Sequence, residues 1–379
     1  MQKRYAFKLA LAGAAALALT ACGEKTEPAK TAAAPAAAEP AKSTGPLKVA
    51  FMYVSPANEE GWSTQHDLAR QAVEKKFGDR IQVTTVENIP ENADAERVLR
   101  DLAQQGNKII FATSFGYMNA VLKVAKEFPD VKFEHATGYK TAENVSNYSA
   151  RFYEARYLAG KLAGATTKSG KIGYVAAIPI PEVLQGINAF TLGVRSVNPD
   201  ARVHVVWTSA WYDPGKESDA TKSLIGQGCD VLTHHTNSSA VASTCEEAKV
   251  PVLSYNTAMK RAAPTMLLGG VIHIWDEFYA GRIQAVMDGT WKSQSVWGGA
   301  PEGMIGLVEI AKTAPEAVTK DIADTMKRMA SREFHPFTGP VVDNTGKVQL
   351  EAGVKATDEH LLSMGYLVEG VAGKLPTAK

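Results

Sequence analysis

The feature that most restricts the fold is a regular alternation of short β-branched and aromatic runs with amphipathic stretches, met twice along the chain. Leu47 to Val54 reads as a buried strand, and Leu68, Ala69, Ala72, Val73 and Phe77 then share one helical face. Strands follow at Ile81 to Val86, Lys108 to Thr113 and Val131 to Thr137. The helices between them carry Ala95, Val98, Leu99 and Leu102 on one face, then Val121, Leu122, Ala125 and Phe128. The pattern restarts with strands at Lys171 to Ala177, Arg202 to Trp207, Asp230 to His234 and Pro251 to Tyr255. Strands alternating with helices of this length build parallel sheets covered on both faces. The expectation is an α/β fold of two consecutive Rossmann-like lobes, with a ligand site beyond the carboxyl ends of the strands.

The segments ahead of Leu47 have other purposes. Residues 1–21 combine a basic head (Lys3, Arg4, Lys8) with an apolar run from Leu9 to Leu19, the anatomy of an export signal. Leu19-Thr20-Ala21-Cys22 resembles the lipobox of bacterial lipoproteins, which implies cleavage before Cys22, a lipid on that cysteine and a membrane-anchored place outside the cytoplasm. Residues 22–46 hold no large apolar side chain and are expected to form a disordered tether. A net charge of +1 with 21% charged residues gives no basic field for nucleic acid. No later run is long enough to span a bilayer.

Among loops that should face the crevice, Trp62 stands between Gly61 and Ser63, where it either stacks on a flat ligand or closes the bottom of the loop. Trp211 follows the strand ending at Trp207; it stacks likewise, or belongs to a turn that starts the next helix. His234-His235-Thr236-Asn237 sits between a strand and a helix. Adjacent strand residues face opposite ways and no carboxylate or thiol joins them at ligand spacing, so no metal is expected. His235 and Asn237 are better suited to contacting a ligand. No nucleophile elbow, Walker loop, dinucleotide fingerprint or zinc-protease motif is present, and no cofactor or enzymatic activity is expected. Cys229 and Cys245 leave both a disulfide and free thiols open.

The runs from Gln104 to Tyr117 (QQGNKIIFATSFGY), Phe128 to Phe133 (FPDVKF), Phe152 to Gly160 (FYEARYLAG) and Asp213 to Glu217 (DPGKE) resemble the basic-membrane-protein family of substrate-binding lipoproteins. The similarity extends from Leu47 to about Val371. It implies a hinged type I periplasmic-binding fold that closes on a purine nucleoside or related ring and delivers it to ABC transporter permease subunits, with a monomer expected. It also implies three crossings between lobes, expected near Arg151, Thr257 and Pro301. These give a first lobe of 47–151 plus 257–301 and a second of 152–256 plus 302–379.

Phe115 and Asn119 match the family's Gly-Phe segment and its acid, with an amide in place of the carboxylate. Helix capping is the alternative role for Asn119. Asn256 stands where nucleoside-binding relatives carry an Asp, and Trp275 lies in a segment that replaces their Lys-bearing one. Losing the groups that address a sugar tilts the expected ligand toward a free nucleobase. Trp275 is equally explained as a packing anchor. A receptor for a sugar, flavin or amino acid, or a ligand sensor, is the alternative. A nucleoside hydrolase lacks the paired carboxylates it would need.

Overall fold

The computed structural model describes residues 45–376. The first series runs β1 (Leu47–Met52), α1 (Trp62–Phe77), β2 (Ile81–Val86), α2 (Ala93–Gln104), β3 (Ile109–Ala112), α3 (Met118–Glu127), β4 (Lys132–Ala136) and β5 (Val145–Ala150). After α4 (Phe152–Thr166) the second runs β6 (Lys171–Ala176), α5 (Pro181–Val197), β7 (Arg202–Trp207), α6 (Pro214–Gly226), β8 (Val231–His235), α7 (Ala240–Ala248), β9 (Val252–Asn256) and β10 (Leu267–His273). The remainder is α8 (Asp276–Met287), β11 (Ser295–Gly298), β12 (Ile305–Val308), α9 (Glu316–Ala330), the β13 (Val341–Val342) and β14 (Val348–Leu350) hairpin, α10 (Asp358–Leu362) and β15 (Val371–Ala372).

Two sheets result. The first has the order β11-β5-β4-β3-β1-β2 and is parallel throughout. The second has the order β12-β10-β9-β8-β6-β7-β15, parallel except at its β12 edge. Within them β2-β1-β3-β4-β5 and β7-β6-β8-β9-β10 repeat the same arrangement, so each lobe reverses its winding beside its own first strand. Open α/β sheets bind ligands outside the strand ends at such a reversal.

Burial explains why these segments take these forms. Ile109, Ile110, Phe111 and Ala112 are all buried, because helices cover both faces of β3 and an alternating pattern has no place there. In α2 the buried side chains are Ala95, Val98, Leu99, Leu102 and Ala103, the stripe that helical spacing predicts. In α9 Ile322 and Met329 are buried, with Val318 and Met326 packed beside them. One apolar cluster continues from Phe51 and Trp62 in the first lobe through Phe152 and Trp275 to Tyr255 and Val203 in the second. The lobes are therefore pressed together.

The expected crossing near Thr257 is corrected by the strand pairing. After β9 the chain stays in the second lobe, where β10 pairs with β9, and it returns to the first only at residues 274–275. It had left the first sheet between β5 and α4, and it leaves again between β11 and β12. Thr257 merely opens a β9–β10 connection. Cys229 and Cys245 are free thiols buried in one apolar cluster, and that burial pushes them up, to about 11 and about 12. The signal, Cys22 and nearly all of the tether lie outside the described residues.

Candidate functional site

Where the two sets of strand ends meet, side chains from both lobes line a cavity of about 300 Å³, open solvent at its mouth included. The first lobe contributes Trp62 at the start of α1, Ser114 and Phe115 after β3, and Thr137 after β4. The second contributes Glu182 in the first turn of α5, Trp211 after β7, His235 and Asn237 at and after the end of β8, and Tyr255 in β9.

The first-lobe groups are fixed by bonds inside their own lobe. Trp62 Nε1 donates to the Thr113 carbonyl at 2.6 Å, and its ring packs edge-on against His66 with centroids 4.5 Å apart. Ser114 Oγ donates to Glu91 at 2.5 Å, and the ring centroids of Phe115 and Tyr139 lie 6.3 Å apart. Thr137 holds a left-handed backbone (φ 58°) and donates its hydroxyl to the Ala136 carbonyl at 2.8 Å.

The second-lobe groups are arranged differently. The His235 ring lies 4.6 Å from that of Tyr255 and 6.2 Å from that of Trp211. Glu182 approaches His235 Nε2 at 3.5 Å. Beneath them Arg156 donates to the His234 carbonyl at 2.6 Å and to Thr233 Oγ1 at 3.2 Å, with its guanidinium 3.7 Å over the Tyr255 ring. Trp211 Nε1, His235 Nδ1 and Tyr255 OH are buried without a hydrogen-bond partner among the described residues. Buried polar atoms are nearly always paired, so three unpartnered ones on this wall set it apart from the first-lobe wall.

Burial dominates the titration of this wall. It pushes the Glu182 carboxyl up to about 8 against the opposing pull of Arg156. It holds His235 well below its ordinary range, with Arg156 adding to the effect. Near neutral pH both groups are uncharged, so their contact is not an ion pair. Among the described residues no cluster of His, Cys, Asp and Glu is placed to hold a metal ion, and no helix is long and apolar enough to cross a membrane.

The rims of the cleft touch. Glu60 accepts from the backbone N–H groups of Arg261 and Ala262 at 3.3 and 3.1 Å and pairs with the Arg261 guanidinium. Thr257 Oγ1 donates to the Glu60 carbonyl, and Tyr212 OH donates to Glu59 at 2.6 Å. A Cβ on Gly61 would lie 1.8 Å from the Asn237 carbonyl oxygen, so this approach requires glycine.

Of the sequence candidates, Trp62, Phe115, Trp211, His235 and Asn237 come together around the cavity; Asn119, Asn256 and Trp275 do not line it. Asn119 is exposed near the start of α3, where Tyr117 holds the cap position. Asn256 is fully buried at φ 75° and donates to the Thr236 carbonyl at 3.1 Å, holding two strand ends together. Asparagine suits such a backbone. Trp275 is buried where the chain returns to the first lobe, stacked on His66 with centroids 5.5 Å apart. Ser114, Thr137, Glu182 and Tyr255 were missed. Tyr255 precedes Asn256 on the same strand, and alternation aims only one of the pair at the cavity. Glu182 occupies the turn after β6 that matches, by strand order, the Trp62 turn after β1, so that equivalence was its signal.

The family model for ABC transporter substrate-binding proteins of the PnrA-like type matches residues 47–335. A purine-binding protein of Brucella abortus is 48% identical over 330 residues, covering 87% of this chain and 94% of that one. A putative ABC transporter glucose-binding protein of Haloferax volcanii is 37% identical over 332 residues, covering 87% and 82%. Among solved structures, a solute-binding protein of an ABC transporter system from Aeropyrum pernix superposes with a TM-score of 0.66 at 16% identity, covering 76% of this chain and 93% of that one, a likeness of fold. The fold is that of type I periplasmic-binding proteins. The chain belongs to the PnrA-like family of ABC transporter substrate-binding proteins, extracytoplasmic receptors that bind small solutes without transforming them and serve transporter permeases.

Proposed function

We propose that this receptor captures a flat purine-type ring between its lobes, a nucleobase in preference to a nucleoside, and hands it to an ABC importer as a monomer anchored through a lipid on Cys22. The observation that carries the reading is that Trp62 and Trp211, indoles from opposite lobes, line one cavity. Stacking on an aromatic face is worth about 1–3 kcal/mol per base. The cavity is small even with the open solvent at its mouth counted in its volume of about 300 Å³, which favours a base over a base with its sugar. The name of the Brucella relative agrees with a purine.

The name of the Haloferax relative supports a second reading, a hexose receptor. Against it, Glu182 is the one carboxylate among the residues lining the cavity, and Arg156 is not among them, its terminal nitrogens already donating to Thr233 and the His234 carbonyl. Calorimetric titration with adenine, guanine, hypoxanthine, xanthine, their nucleosides and glucose separates the readings. At least one base is expected to bind more tightly than its nucleoside and far more tightly than glucose. Glucose binding above every purine would sink the proposal, and a nucleoside held better than its base would reverse the preference. Loss of the chain from the membrane fraction on Cys22→Ser checks the anchor.

A further inference from the structure

Glu182 combines three properties. It lines the cavity, its side chain is 20% exposed there, and no hydrogen bond offsets its burial. Its approach to His235 Nε2, at 3.5 Å, is too long for a good hydrogen bond. Around it stand the unpartnered Trp211 Nε1, His235 Nδ1 and Tyr255 OH. A buried polar group left in that condition costs about 1–3 kcal/mol. Glu182 therefore has no hydrogen-bond partner within the fold, on a wall where Trp211, His235 and Tyr255 also keep a polar atom without one.

We propose that Glu182 is the specificity determinant of this cavity, reading with its carboxyl group the edge of a flat heterocycle on which a hydrogen-bond donor stands beside an acceptor. The inference rests on the purine reading above and deepens it. A protonated carboxyl offers one donor and one acceptor in a common plane, whereas a carboxylate only accepts. The protonated form closes a two-bond ring with a lactam edge, N–H beside C=O. With the roles exchanged it does the same with an amidine edge, where a ring nitrogen lies beside an amino group. A 6-oxopurine and a 6-aminopurine are then both readable by one side chain.

The titratable or charged groups facing Glu182 are His235 of β8, Arg156 of α4, Tyr174 of β6 and Tyr255 of β9. The first-lobe wall of Trp62, Ser114, Phe115 and Thr137 adds no charge. His235 is kept neutral by burial. Arg156 favours the ionised form, but it makes its hydrogen bonds to Thr233 and His234 and lays its face on Tyr255. Burial prevails and keeps the proton on Glu182 up to about pH 8.

The test titrates the folded wild-type chain, Glu182→Ala and Glu182→Gln with adenine and with hypoxanthine, from about pH 6 to about pH 9. Thermal unfolding verifies that each variant is folded. Glu182→Ala is expected to weaken both bases about tenfold or more, as the loss of two hydrogen bonds implies. Glu182→Gln, which keeps a donor beside an acceptor, should restore most of that affinity. Wild-type affinity should fall as the pH rises through about 8, and the Gln variant should lack that fall. Comparing variants on the same base cancels the ligand's own ionisation. If Glu182→Ala binds both bases as tightly as wild type, the assignment of Glu182 is overturned and the purine reading stands. A Gln variant as weak as Ala would overturn the donor-and-acceptor pairing, and wild type that binds no purine would overturn both readings.

Discussion

On the first-lobe wall, Trp62, Ser114 and Thr137 all direct their hydrogen bonds into their own lobe, to Thr113, Glu91 and Ala136. On the second-lobe wall, Trp211, His235 and Tyr255 each keep a buried polar atom without a partner, and Glu182 stands beside them. Among the described residues two arginines are buried, and they follow the same division. Arg282, in α8 of the first lobe, is neutralised by Glu134 at 2.6 Å and also donates to Ser146 and the Lys292 carbonyl. Arg156 has no carboxylate in contact and lies under the cavity, against Tyr255. A wall whose polar groups are satisfied offers surface, which attracts any flat apolar ring. A wall whose polar groups are not satisfied discriminates, because an ill-matched ligand leaves them unpaired.

The largest effect that would test this division is on stability. Glu134→Ala strips a buried guanidinium of its counter-ion and of the acceptor for Trp291 Nε1, so unfolding in urea should show a loss of about 3–5 kcal/mol. Affinity for the ligand should be little changed in the folded fraction; a variant that folded normally but lost binding would break the distinction between the arginines. Next, Trp62→Ala should weaken every flat ligand by about 1–3 kcal/mol and leave their order of preference intact. Calorimetry over the same panel of bases would expose a change of order, which would mean that the first-lobe wall also discriminates. Smallest, Glu60→Ala removes the rim contact to Arg261 and Ala262 and should cost about 1 kcal/mol of affinity. That loss is expected as faster release in stopped-flow fluorescence. An unchanged release rate would remove the rim from the account.

Much of the fold is legible before any coordinates, because hydrophobic periodicity reports directly on which face of each element is covered. The run at β3 is apolar over its length, those at β1 and β6 are interrupted only by a lysine near their start, and the stripe of α2 is complete. The crossing near Thr257 was misplaced because β10 has the same composition whether it pairs with β9 or joins the other sheet. Pairing is a long-range property that no local run encodes.

The site was legible where an aromatic or amide stands in a loop or opens a helix just beyond a strand, as with Trp211, Asn237 and Trp62. It failed where side-chain direction decides. Asn256 and Tyr255 differ by one position on a strand, and Trp275, which like Trp62 stands at a helix start, packs its indole on His66 instead of lining the cavity. Glu182 was passed over because a single carboxylate at the start of a helix ordinarily reads as helix chemistry.

The contact at Gly61 has a consequence for whatever receives the ligand. Its α-carbon lies against the Asn237 carbonyl, and the Glu60 carboxylate bridges to the N–H groups of Arg261 and Ala262, so the seam between the two halves is closed by main chain and side chain together. A molecule shut in this way presents one continuous outer face made of residues more than 170 positions apart in the chain. Any docking partner that rests across that seam meets both halves at once, without reaching the cavity behind it.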